Sequence, residues 1–133
     1  MTAQALTLRD PRLVYRCDAG LSLAMGFGLV ILASPLATLI GWAPMEVVLV
    51  GAGIFLFPWA FFNWTIGAAL GPDRLSLAVN MAGDMLWSVA SLALLVLHSA
   101  QMTPIGVTLI AAQAVFVGGV GAIKWLGRNS FDA

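Results

Sequence analysis

The stretch MEVVLVGAGIFLFPWAFF, residues 45–62, decides the fold class of this chain. Glu46 is its one charged residue, and polar and apolar residues do not alternate along it. A membrane-spanning helix needs about 20 predominantly apolar residues, and lipid accepts only helices or closed barrels. Since a barrel strand would alternate, the unbroken run predicts a transmembrane helix.

Three further runs of the same kind complete the prediction, which places spans at about residues 21–40, 45–70, 75–97 and 105–126. The links between them, at 41–44, 71–74 and 98–104, each contain a proline, which suits a helix end or a first helical turn. Short links force neighbouring helices to run antiparallel. The sequence therefore predicts an all-α membrane protein, a four-helix bundle made of two helical hairpins. Residues 1–20 are predicted to form a cytoplasmic segment or an amphipathic anchor on the inner leaflet, and 127–133 a short cytoplasmic tail.

Composition agrees with a membrane protein. The chain has 133 residues, of which 61% are hydrophobic and 9% charged, whereas soluble domains carry about 25% charged residues. The formal net charge is zero, which argues against a nucleic-acid partner. The predicted partner is the lipid bilayer. Cys17 is the only cysteine, so an intrachain disulfide is excluded.

The basic residues predict the orientation. Three arginines precede the first span, Arg74 lies in the middle link, and Lys124 and Arg128 lie at the end of the fourth span or beyond it. All six fall on one side of the membrane if both termini share that side. By the positive-inside rule both termini are cytoplasmic, and the expected location is a bacterial inner membrane.

Small residues recur at four-residue spacing on two of the spans, a pattern typical of close helix contacts in lipid. These predicted packing positions are Gly20, Ala24 and Gly28 on the first span and Ala114, Gly118 and Ala122 on the fourth. They predict contacts within one chain or between copies of it.

Polar residues form a seam through the predicted bundle. Positions three and four apart share one face of a helix, and Asp84 lies about 13 Å along the third span by helical rise. The members of this polar seam are Asn63, Asn80, Asp84, Ser88, Ser91 and Gln113.

Asp84 is the most costly member, since a carboxylate at the centre of a membrane helix costs about 2.5–3.5 kcal/mol. No basic residue is predicted at its depth, and Lys124 is expected to extend to the lipid headgroups. Asp84 is therefore expected to be neutral and to donate a hydrogen bond. Three interpretations stay open: Asp84 joins helices or meets water from the inner face, it binds a proton or cation that drives movement of a small molecule, or it contacts another subunit.

The sequence shows no catalytic constellation, no metal-binding motif and no phosphate loop, so an enzyme is not predicted. His98, the single histidine, is expected to be an ordinary interfacial residue, with the alternative of an axial ligand to haem or a chlorin. No cofactor is predicted, although a bound lipid, quinone or pigment stays open.

The function expected from these observations is that of a small non-enzymatic integral membrane protein. It would act through helix packing as a homo-oligomer or as an accessory subunit of a larger membrane complex. The alternative is a proton- or cation-coupled small-molecule transporter that uses Asp84.

Overall fold

The computed structural model describes residues 10–132, and within that range the chain is helical and contains no strand. Four of its helices are long and apolar enough to cross a membrane, which confirms the predicted helical class and is consistent with a membrane protein. The helices are α1 (Pro11–Ile31), α2 (Ala33–Ile40), α3 (Met45–Ala68), α4 (Arg74–His98) and α5 (Pro104–Gly127), with short 3-10 helices at Ser99–Gln101 and Arg128–Asp132.

The first helix differs from the predicted span at 21–40. It begins at Pro11, where the Asp10 carboxylate caps it by accepting from the Arg12 amide at 3.0 Å, and proline suits the first helical position. The guanidinium of Arg12 also binds Asp10, and this hydrogen bond lowers the pKa of the Asp10 carboxyl. Residues 11–20, predicted to be a separate segment, are thus the first half of α1. Residues 1–9 and 133 of the predicted terminal segments lie outside the described residues.

The break between α1 and α2 lies at Leu32. Pro35 has no amide hydrogen, and its ring would clash with the carbonyl of Ile31 four residues earlier in a continuous helix. The predicted span 21–40 therefore consists of the second half of α1 followed by the short helix α2.

Glycines bring α1 and α3 together. A Cβ placed on Gly26 would lie 3.1 Å from the Gly53 carbonyl oxygen, and one on Gly53 would lie 2.9 Å from the Gly26 oxygen. Gly28, one of the predicted packing positions, is only half-buried, and a Cβ there would meet nothing within 4 Å. The close approach within the chain is therefore made by Gly26 rather than by the predicted positions.

Small residues also bring α5 against α4. The Ser88 hydroxyl donates to the Ala114 carbonyl oxygen at 2.9 Å, and a Cβ on Gly118 would lie 3.3 Å from that hydroxyl oxygen. Of the predicted positions on α5, Ala114 is buried and Gly118 is half-buried, whereas Ala122 is exposed.

The two ends of the bundle differ. At one, the terminal end, the described ends of the chain meet, since the Tyr15 and Phe131 rings lie 5.9 Å apart. At the other, the far end, the Thr103 amide donates to the Ile40 carbonyl oxygen at 2.8 Å. The Thr103 hydroxyl donates to the Leu39 carbonyl oxygen. These bonds tie α2 to the start of α5.

Candidate functional site

A buried lysine lies at the centre of the terminal half of the bundle. Lys124 belongs to the last turn of α5, is 1% exposed, and directs its ammonium group inward. Its Nζ lies 2.6–2.9 Å from four side-chain oxygens. We call this group the Lys124 cluster; its members are Asp18, Asn63, Asn80, Asp84 and Lys124.

The cluster corrects two expectations. Lys124 does not extend to the lipid headgroups, and Asp84 has a cationic partner, since its Oδ2 accepts from the Lys124 ammonium at 2.7 Å. By helical rise the Lys124 backbone lies about 5 Å from the end of α5 and that of Asp84 about 15 Å into α4. Because a Cβ on Gly121 would lie 3.3 Å from the Asp84 Cβ, Asp84 is level with Gly121, about one helical turn from Lys124. The flexible four-carbon stem of lysine spans that distance.

Each of the four long helices supplies a member. Asp18 lies on α1, Asn63 on α3, Asn80 and Asp84 on α4, and Lys124 on α5. An ammonium group has three hydrogens, so the four acceptor oxygens share them. The lysine therefore connects all four long helices at a single atom.

The asparagines are held by further hydrogen bonds. The Asn80 amide donates to the Asn63 Oδ1 at 3.2 Å, and the Asn63 amide donates to the Trp59 carbonyl oxygen at 3.0 Å. With their amides donating elsewhere, both asparagines present carbonyl oxygens to Lys124. Gly121 allows the close approach of α5, because a Cβ there would lie 3.3 Å from the Asp84 Cβ.

Tyr15 and Ser22 extend the site on α1. The Lys124 Nζ lies 4.9 Å from the centroid of the fully buried Tyr15 ring, within the range of a cation–π contact. The Ser22 hydroxyl donates to the Asp18 Oδ1 at 3.1 Å. Within residues 10–132, the Tyr15 hydroxyl has no hydrogen-bond partner.

Three residues of the site were not predicted from the sequence: Tyr15, Asp18 and Lys124. Had the Asp10–Pro11 pair been taken as a helix start, the spacing of Tyr15, Asp18 and Ser22 would have shown a polar face on α1. No comparable signal marks Lys124, because a basic residue near a helix end is typical of an interfacial position.

The predicted polar seam is divided into two groups. Asn63, Asn80 and Asp84 join the Lys124 cluster. Farther from the terminal end, Gln113 accepts from the Trp87 indole and donates to the Ser91 hydroxyl, both at 2.8 Å. Ser88 donates to the α5 backbone at Ala114. The second group of the seam, Ser88, Ser91 and Gln113, therefore joins α4 to α5.

His98 lies at the far end of the bundle, away from the cluster. Its ring stacks on Trp42 with centroids 4.3 Å apart. Its Nδ1 is buried and has no partner among the described residues. The stack covers one face of the imidazole, and the structure brings none of the predicted seam residues to it.

The charges of the cluster are unequal. Two carboxylates, of Asp18 and Asp84, contact one ammonium group. The Asp18 side chain is 16% exposed, against 3% for Asp84 and 0% for Lys124. The chemistry available is therefore hydrogen bonding and proton exchange at carboxylates, with Asp18 nearest to the surface.

Comparison of the chain with protein-family models, with curated proteins and with solved structures finds no match.

Proposed function

We propose that this protein is a small non-enzymatic membrane protein that acts through helix packing, as a homo-oligomer or as an accessory subunit. In this proposal it lies in a bacterial inner membrane as two helical hairpins, with both termini cytoplasmic. The observation that carries the proposal is the exposed small-residue face of α1.

That face consists of Cys17, Gly20 and Ala24, which are all exposed and share one side of the helix. A Cβ on Gly20 would meet nothing within 4 Å. In lipid, helices associate through small residues that allow backbones to approach. Because α1 packs on α3 through Gly26 instead, its small-residue face is left available to a second copy or another membrane protein.

Cys17 provides a direct test. In membranes under mild oxidation, we expect the wild-type protein to form a dimer linked by a disulfide between two copies of Cys17. A disulfide requires Cα atoms about 4.4–6.8 Å apart, so this product reports close approach of the two α1 helices. Gly20→Leu is expected to abolish most of the cross-linking by blocking close approach. The measurement is the fraction of dimer on non-reducing gels, with oligomer mass in mild detergent as a second readout.

A matched control moves the cysteine to another helix. In a Cys17→Ser background, Ala82→Cys places an exposed thiol at a similar depth on α4 and should give little cross-linking. The accessory-subunit form of the proposal instead expects another membrane protein to co-purify in fixed ratio, and Gly20→Leu to release it. A monomer that neither cross-links nor co-purifies with a fixed partner would contradict both forms.

The second candidate function is a proton- or cation-coupled transporter of a small molecule. Ionisable residues inside membrane proteins often mark ion or proton pathways, and the Lys124 cluster places Asp84 among such residues. In this case Asp84→Asn should abolish uptake into proteoliposomes while elution volume and helix content stay normal. Under the packing function the same variant should keep its oligomer and partners and alter stability alone.

A further inference from the structure

We propose that the Lys124 cluster binds one exchangeable proton, shared between the carboxylates of Asp18 and Asp84, and that Asp18 is its point of entry. The inference deepens the second candidate function. The test of proton binding needs no transported substrate, so a failure to bind the proton is distinguishable from a failure of transport.

The charges of the Lys124 cluster do not balance. With Asp18 and Asp84 ionised, two negative charges face one positive charge on Lys124. The Oδ2 atoms of both carboxylates contact the same nitrogen, at 2.6 and 2.7 Å, so the two like charges are close neighbours. Like charges at such a site disfavour double ionisation, and burial in a membrane protein raises the cost. One added proton removes the surplus negative charge.

Among residues 10–132, the groups that surround the carboxylates supply no positive charge besides that of Lys124. They are Tyr15 from α1, the neutral Asn63 from α3, the neutral Asn80 from α4 and Lys124 from α5. Arg16, also on α1, donates its Nε hydrogen to the Gly67 carbonyl oxygen at 2.8 Å. The balancing charge therefore comes from a ligand, and the Tyr15 hydroxyl, buried without a partner in the described range, adds a free polar group beside the site.

A proton suits the site better than a metal ion. The four oxygens that a metal ion would need already contact the Lys124 ammonium, so a metal ion would have to displace it. Among residues 10–132, no group of three or more His, Cys, Asp or Glu side chains could hold a metal ion. A proton adds to a carboxylate oxygen without needing such space.

The entry point follows from exposure. Asp18 is the most exposed carboxylate of the cluster, and its Oδ1 also accepts from Ser22. Asp18 and Asp84 contact the same ammonium nitrogen of Lys124, so a proton taken up on Asp18 lies only one side chain away from Asp84. Asp84 therefore exchanges with solvent through Asp18.

Infrared spectroscopy of the protein reconstituted in phosphatidylcholine vesicles tests the proposal. A protonated carboxylic acid has a carbonyl-stretch band that shifts in D2O. We expect this band to appear reversibly on acidification to about pH 5.5, where exposed carboxylates remain mostly ionised. Asp84→Asn and Asp18→Asn should each abolish it, because either change leaves one carboxylate matched by one ammonium group.

The Asp18→Asn variant is decisive, since a proton held by Asp84 through burial alone would persist in it. Glu46→Gln, which removes an exposed carboxylate on α3, is the matched control and should keep the band. Lys124→Gln should keep the band to higher pH, because loss of the positive charge increases proton affinity. No band in the wild-type protein, or an unchanged band in Asp18→Asn, would overturn the proposal.

Discussion

Replacing Lys124 with methionine is expected to lower the free energy of unfolding by about 3–5 kcal/mol, the usual cost of removing one partner from a buried ion pair. The substitution leaves the Asp84 carboxylate, 3% exposed, without its cation and removes a contact shared by all four long helices. Methionine keeps a similar volume, so the loss reports on charge rather than on a cavity. SDS-induced unfolding in mild detergent, followed by tryptophan fluorescence, measures the change.

The control variant restores the charge balance of the cluster without restoring Lys124. Lys124→Met combined with Asp18→Asn and Asp84→Asn should recover most of the lost stability, because neutral replacements of a buried ion group are often tolerated. Arg128→Met removes a positive charge from the following 3-10 helix and should have a much smaller effect. A cost below about 1 kcal/mol for Lys124→Met, the range of exposed pairs, would show that the cluster does not stabilise the bundle.

Replacing Gly106 with valine is expected to cost about 3 kcal/mol or more, at or above the upper end of typical overpacking penalties. Gly106 lies in the first turn of α5, and a Cβ there would lie 2.8 Å from both the Cα and the carbonyl oxygen of Ile40. Backbone atoms cannot rotate away as a side chain can. The same unfolding measurement reports the total cost, which includes the two Thr103 hydrogen bonds because separating α5 from α2 breaks both.

Gly119→Val is the matched control, because it makes the same change of residue on the same helix. A Cβ on Gly119 would meet nothing within 4 Å, so only the helix propensity changes. If the two valine variants were equally stable, the contact between α5 and Ile40 would not contribute to the stability of the bundle.

The membrane fold was predictable because hydrophobicity is a property of each residue and accumulates along a run. The stretch at 45–62 requires a helix in lipid whatever surrounds it, and α3 contains all of it. The start of α1 was missed for a related reason. Arg12, Arg16 and Asp18 lower the local hydrophobicity, although in the folded chain Asp10, the Gly67 carbonyl oxygen and Lys124 bind them.

The candidate site was only partly predictable. Sequence periodicity placed Asn80, Asp84 and Ser88 on one face of a helix, and all three are buried there. The same periodicity predicted a packing role for Gly20 and Ala24, although both are exposed. It did not single out Gly26, which makes the contact with α3. Periodicity defines the faces of a helix, but not which face meets a neighbour.

The sequence by itself determined that this chain forms four long apolar helices, because hydrophobicity depends on local composition. Only the tertiary structure decided that Lys124 is buried against Asp18 and Asp84. These residues are separated by 106 and 40 positions from the lysine, and the length of a lysine side chain lets its charge lie well away from its backbone. Such a contact depends on the rotation and depth of three helices together, which no single stretch of sequence records.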